Sequence, residues 1–146
     1  MFIMIKKYVL PLVILLVNLT PYAKAVTIGD DICDFINNED YSDVFKTSLK
    51  NQYHLGPNFN KHDYVFTYSC GGGAICGNIM SSPDNVLTDF PSEFLVDSQE
   101  GEFSMDYDVN SNKICFTGKS AFDSEFYNHE CYKFLSGKLI KVVVAQ

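Results

Sequence analysis

The run that most constrains this chain spans residues 68–77, where Cys70 and Cys76 bracket Gly71, Gly72 and Gly73. Before it, residues 63–69 have strong strand propensity, with Tyr64, Phe66 and Tyr68 alternating against Val65, Thr67 and Ser69. After it, residues 74–80 are apolar enough to return as a partner strand. Such a run closes in one of two ways. A short disulfide pins the tip of a hairpin, or a glycine-rich loop presents a reactive thiol. The first reading leads to a binding protein and the second to an enzyme. In either case the glycines permit the positive φ of a tight turn, where a Cβ would clash.

The compartment decides between them. Residues 1–7 carry Lys6 and Lys7, residues 8–19 are apolar, and residues 20–25 end in the small-x-small pattern of Ala23, Lys24 and Ala25. This pattern predicts a secretory signal peptide over 1–25, with residues 26–146 left as a single globular domain. The apolar run is short of the roughly 20 residues a spanning helix needs, so no stable membrane insertion is expected after cleavage. The expected location is secreted or periplasmic, where disulfides persist.

Five cysteines are present, so four can pair and one is left over. The economical pairing is local, Cys70 with Cys76 and Cys115 with Cys131, and leaves Cys33 as a free thiol. Each bridge would stabilise by ~2–3 kcal/mol in the chain-entropy model. Pairing of Cys33 with Cys70 or Cys76 competes with this assignment.

Charge narrows the partners. The whole chain carries −7; without Lys6, Lys7 and Lys24, eight lysines face eighteen acids, for −10. There is no arginine. Such a surface is repelled by a phosphate backbone, and the bidentate side chain that reads phosphate and guanine is missing. Nucleic acid is therefore excluded as a partner, and a basic protein is favoured.

Along the chain, Ile32, Cys33, Phe35 and Ile36 suggest a short helix interrupted at Asn37 and Asn38. A second helix is predicted over 41–53, where Tyr41, Val44, Phe45, Ser48, Leu49, Gln52 and Tyr53 recur at helical spacing until Gly56 and Pro57. Residues 63–69 read as a central strand. Residues 92–97, 113–117 and 138–145 read as further strands, and residues 126–134 fit strand or helix, with strand favoured by the turn at Ser136 and Gly137 that follows. In residues 102–109, Phe103, Met105, Tyr107 and Val109 form one face, with Asp106 and Asp108 on the wet face. A turn at 110–112 would make a hairpin with 113–117. The expected fold is α+β: an N-terminal helical segment packed on a curved antiparallel sheet of about six strands, stapled by disulfides.

A nucleophilic Cys70 would need a base, and none of His54, His62 and His129 is tied to it in sequence. The C-x5-C spacing is not that of a thiol–disulfide exchange site. No catalytic residue is assigned. His129 and Cys131 would share one face of a strand, yet nothing repeats with zinc-site spacing, so no metal or other cofactor is expected.

Residues 65–70 (Val-Phe-Thr-Tyr-Ser-Cys) resemble the opening strand of the periplasmic inhibitors of c-type lysozymes, small disulfide-bonded β-barrels. The resemblance covers six residues, and that family's inhibitory loop, rich in Ser, Gly and Ala before a Tyr, is not recognisable. It implies an inhibitor directed at a basic protein. The expectation is thus an exported, acidic protein-binding domain of inhibitor or immunity type. Gly71, Gly72, Gly73, Asp106 and Asp108 are its candidate contact surface. One alternative is an exported hydrolase centred on Cys70 or a carboxylate pair. Another is a structural or surface component joined through Cys33.

Overall fold

The computed structural model describes Ile32, Ile36, Asn37 and residues 40–144. The expected signal peptide over 1–25 and the expected free thiol of Cys33 lie outside the described residues.

The helix, α1 (Asp43–Leu55), starts where Ser42 accepts a hydrogen bond at Oγ from the Phe45 N–H, 3.3 Å away. It ends at Gly56, whose φ of 92° turns its N–H onto the Gln52 and Tyr53 carbonyls. Phe45 and Leu49 form its buried stripe.

Ten strands follow: β1 (Tyr64–Gly71), β2 (Ala74–Ser81), β3 (Val86–Asp89), β4 (Phe94–Leu95), β5 (Asp97–Ser98), β6 (Gly101–Glu102), β7 (Ser104–Tyr107), β8 (Lys113–Lys119), β9 (Phe126–Leu135) and β10 (Lys138–Lys141). All pairings are antiparallel. In the first sheet β2 pairs with β1 on one edge and with both β3 and β4 on the other. The second sheet has the order β10-β9-β8-β7, and β5 and β6 form a separate two-stranded ribbon beside β8.

Alternation along β1 explains the layering. Tyr64 and Phe66 turn to the helical side, where they join Ile32, Ile36, Phe45, Leu49 and Met80. Val65, with Ile79 of β2, turns to the second sheet and joins Phe59, Phe94, Ile114, Phe116 and Phe134. The expected single curved sheet is therefore corrected to two four-stranded sheets, neither strongly curled. A sheet apolar on both faces needs two covers. The helical segment supplies one, and the phenylalanine-rich later strands supply the other.

The central-strand reading of residues 63–69 is also corrected. The central strand is β2, and β1 is an edge strand buried on both faces by layering. Its open edge is finished by side chains. Asn58 donates from Nδ2 to the Val65 carbonyl (2.8 Å) and accepts the Val65 N–H at Oδ1 (2.7 Å). Ser48 of α1 donates to the Thr67 carbonyl at 2.6 Å. These bonds occupy groups that would otherwise invite another strand.

Two later strands are shorter than expected. β7 stops at Tyr107, so Asp108 lies in a loop, where its Oδ1 accepts the Asn110 N–H at 2.7 Å. The Val109 carbonyl is diverted to the Lys61 N–H, which pulls this loop off the strand line. β9 turns into β10 through Ser136 and Gly137, both at positive φ, as a two-residue hairpin requires. β10 then stops at Lys141, and Val143 and Val144 are each 83 % exposed. The reason lies in β9: His129 has a φ of 52°, so there is no straight partner strand beyond Cys131.

Asp63 ties the start of β1 to the β2–β3 turn. Its buried carboxylate takes bonds from Asn60 Nδ2 (2.7 Å), the Ser82 N–H (3.0 Å) and His62 Nδ1 (2.7 Å). Asp63→Ala strands these donors and is expected to lower stability by about 3 kcal/mol, read as a lower denaturant midpoint.

Tyrosines in both layers are pushed above their ordinary pKa of 10.0, in each case mainly by burial: Tyr64, Tyr68, Tyr127 and, most strongly, Tyr132. A raised folded pKa means that the unfolded chain ionises first. Stability from these groups is then complete below about pH 10 and falls as pH rises further. Urea unfolding at stepped pH is expected to show a midpoint insensitive to tyrosine ionisation up to about pH 9, and a decline above pH 10 accompanied by phenolate absorbance.

Candidate functional site

Both economical disulfides are present. Cys70 and Cys76 are bridged with their Cα atoms 5.7 Å apart, and Cys115 is bridged to Cys131, its register partner across β8 and β9. The Cys70 sulfur is thus bonded and is no free nucleophile. Gly71, Gly72 and Gly73 form the exposed tip of the β1–β2 hairpin, with φ values of 96°, 62° and 76°.

The expected contact residues do not come together. β1 starts next to the loop that holds Val109 and runs eight residues to the glycine tip. At roughly 3.3 Å per residue, the tip and the Asp108 loop lie about 25 Å apart, at opposite ends of the strand. Asp106 lies on β7 of the other sheet.

What does stand beside the tip is a groove of about 320 Å³, lined by Tyr68, Cys76, Gly77, residues 89–93 and Phe122. It exists because β2 is paired by two short strands in place of one long one. After Asp89 the chain reaches Phe90 and Pro91, and proline cannot extend the ladder. The Phe90 N–H still bonds the Gly77 carbonyl at 3.0 Å, and the Phe90 ring packs directly against Gly77. The chain rejoins β2 at Phe94, opposite Ile75. The gap between β3 and β4 is the groove.

Its polar groups are held in place from below. Buried Asn78 donates from Nδ2 to Asp89 Oδ1 at 2.6 Å and accepts the Tyr68 hydroxyl at Oδ1, 3.1 Å away. The Glu93 carbonyl accepts the Ala121 N–H at 2.8 Å, and Ser92 Oγ lies 2.8 Å from Oγ of the buried Ser120. A Glu93 carboxylate oxygen lies within 4.8 Å of both sulfurs of the Cys70–Cys76 bridge. Phe122, 74 % exposed, forms the rim.

The groove is acidic. The Tyr68 phenol is pushed up by burial first and then by the Asp89 and Glu93 carboxylates, whose charge opposes a phenolate beside them. Among the described residues, neither Asp89 nor Glu93 has an ion-pair partner; the three ion pairs use other acids. No histidine lines the groove: His54 is on α1, His62 is bonded to Asp63, and His129 is on β9. The site therefore offers two carboxylates, a phenol and an exposed ring, and no imidazole. It suits a cation carried on an apolar stem.

Sequence reasoning missed Asp89, Glu93 and Phe122 as site residues. Residues 86–91 have no clear period, and residues 118–125 were not legible. The one usable signal was Phe90-Pro91 between two nearby acids, a strand break that leaves two carboxylates at a sheet edge.

No family model, no curated protein and no solved structure matches the chain.

The floor of the groove depends on Gly77. A Cβ there would lie 2.0 Å from a Phe90 ring carbon, so Gly77→Ala must push the ring out of the inter-sheet core. The expected cost is about 1–3 kcal/mol of stability, measured by denaturant unfolding. Gly72→Ala meets open space at the tip, so only its φ of 62° opposes it, and a loss of about 1 kcal/mol is expected.

Proposed function

We propose that this chain is an exported, non-catalytic domain that binds a basic protein, as an inhibitor or immunity-type partner. The contact surface is the groove between β3 and β4 together with the adjoining glycine tip. One observation carries the reading: Asp89 and Glu93 face a preformed groove with no cation of their own, beneath an exposed aromatic rim. A lysine or arginine of the partner lays its alkyl stem along Phe122 and brings its charge between the carboxylates. Two disulfides accord with an oxidising compartment, as does the leader-like pattern of residues 1–25. The chain's net charge of −7 would speed the encounter with a basic target.

The test compares the wild-type protein with an Asp89→Lys, Glu93→Lys double variant as bait for basic proteins of the native envelope and medium. The wild type is expected to retain a specific basic partner at low salt and to release most of it at about 0.5 M salt. The double variant is expected to bind at least tenfold more weakly at a temperature where both proteins are folded; because Asp89→Lys leaves the buried Asn78 amide without its acceptor, it is also expected to be less stable by about 1–3 kcal/mol. Equal capture by both baits, or capture indifferent to salt, would sink the reading.

A further inference from the structure

A second cluster lies on the other sheet and has no part in the groove. Cys115 of β8 and Cys131 of β9 are register partners, and His129 stands two residues before Cys131. Both Sγ atoms and an imidazole nitrogen of His129 lie within 4.8 Å of one another. The backbone sets this up. β8 and β9 lose register between Phe116 and Gly118, and His129, across this break, has a φ of 52°. Its N–H donates to Thr117 Oγ1 at 3.2 Å. The backbone of His129 is thereby held beside the bridge by both strands.

Two thiolates and an imidazole are a donor set for Zn²⁺. With Zn–S near 2.3 Å and Zn–N near 2.0 Å, tetrahedral ligand atoms stand roughly 3.5–3.8 Å apart. The histidine is already within about 1 Å of that spacing, so the main change required is the parting of the two bonded sulfurs. A groove of about 290 Å³ opens beside Cys131 and His129, and gives an ion a path in and room for a fourth ligand. The other bridge differs: its third neighbour is Glu93, a harder oxygen donor.

We propose that Cys115, Cys131 and His129 form a redox-gated zinc site. Oxidised, the sulfurs bond to each other and hold no metal. A dithiol supplies two electrons and two protons: the Cys115–Cys131 bond breaks, two thiols form, and the reductant closes to its own disulfide. Zn²⁺ then binds through both sulfurs and the imidazole, and the two thiol protons are released to solvent. The strand pairing that the disulfide secured is secured by the metal in its place. The proposal thus assigns a metal to the reduced chain, whereas the sequence alone led to an expectation of none.

The test uses a Cys70→Ser, Cys76→Ser variant of the full chain, so that the only remaining bridge is the one in question among the described cysteines. The protein is reduced with a dithiol, desalted without oxygen, and titrated with Co²⁺ as a spectroscopic stand-in for zinc. Expected are one Co²⁺ per chain, a thiolate-to-cobalt charge-transfer band, displacement by Zn²⁺, and no band in the oxidised protein. His129→Asn tolerates the same backbone conformation and is expected to weaken binding at least tenfold; Cys115→Ser is expected to abolish the band. Absence of a cobalt band in the reduced protein, folded or unfolded, overturns the proposal. So does a His129→Asn variant that binds as tightly as its parent.

Discussion

The β1–β2 hairpin buries both of its faces, and each face selects its own cover. Tyr64 and Phe66 require the helical side, while Val65 and Ile79 require the second sheet. Neither cover can substitute for the other, because a strand sends successive side chains to opposite faces. A one-residue slip of β1 would exchange the two sets and mismatch both cores at once. Several local devices hold that register: the Cys70–Cys76 bridge at the tip, the Asp63 carboxylate at the base, and Asn58 and Ser48 along the open edge. Removing any one loosens an end or an edge, but the alternation itself carries the architecture.

The groove follows from the same constraint. β2 has to be paired along its whole length, yet the inter-sheet core also takes Phe90 from the segment that pairs it. Gly77 lets that ring in against the backbone, and the strand breaks there. A concave gap with anchored walls is the result. Because Asn78 and Ser120 already fix the polar groups, a ligand would find them in place and lose little freedom in ordering them.

Much of this fold is legible from local chemistry. The helix is announced by the spacing of Phe45 and Leu49 and by Gly56; the hairpin by alternation around the glycines; both disulfides by their short spacing. Residues 126–134 have aromatic spacing that fits strand and helix equally poorly; the turn at Ser136 and Gly137 favours strand, and the structure places β9 there. What could not be read is set by contacts distant in sequence. Nothing in residues 63–69 distinguishes burial by layering from burial between neighbouring strands, so an edge strand reads as central. The apolar run at 142–144 has strand propensity but no partner ladder, owing to His129 thirteen residues earlier than the run begins. The groove is made of Tyr68, Asp89, Glu93 and Phe122, from four separate stretches, and acquires meaning only once Phe90 has folded over Gly77.

Charge is distributed unevenly over these layers, and net charge and site charge have different effects. Lys113 and Lys133 are directly opposed across β8 and β9 and point away from the inter-sheet core, as does Ile140 beside Lys133. Like charges so placed oppose the pairing. Asp106, the register partner of Cys115, lies on the same sheet face. Asp89 and Glu93 have no ion-pair partner among the described residues. At physiological salt, charges more than about 8 Å apart are largely screened, so the surplus of acids elsewhere can hasten an encounter but cannot strengthen a contact in the groove. Under the proposed reading, affinity in the groove would come from these two carboxylates and the ring above them.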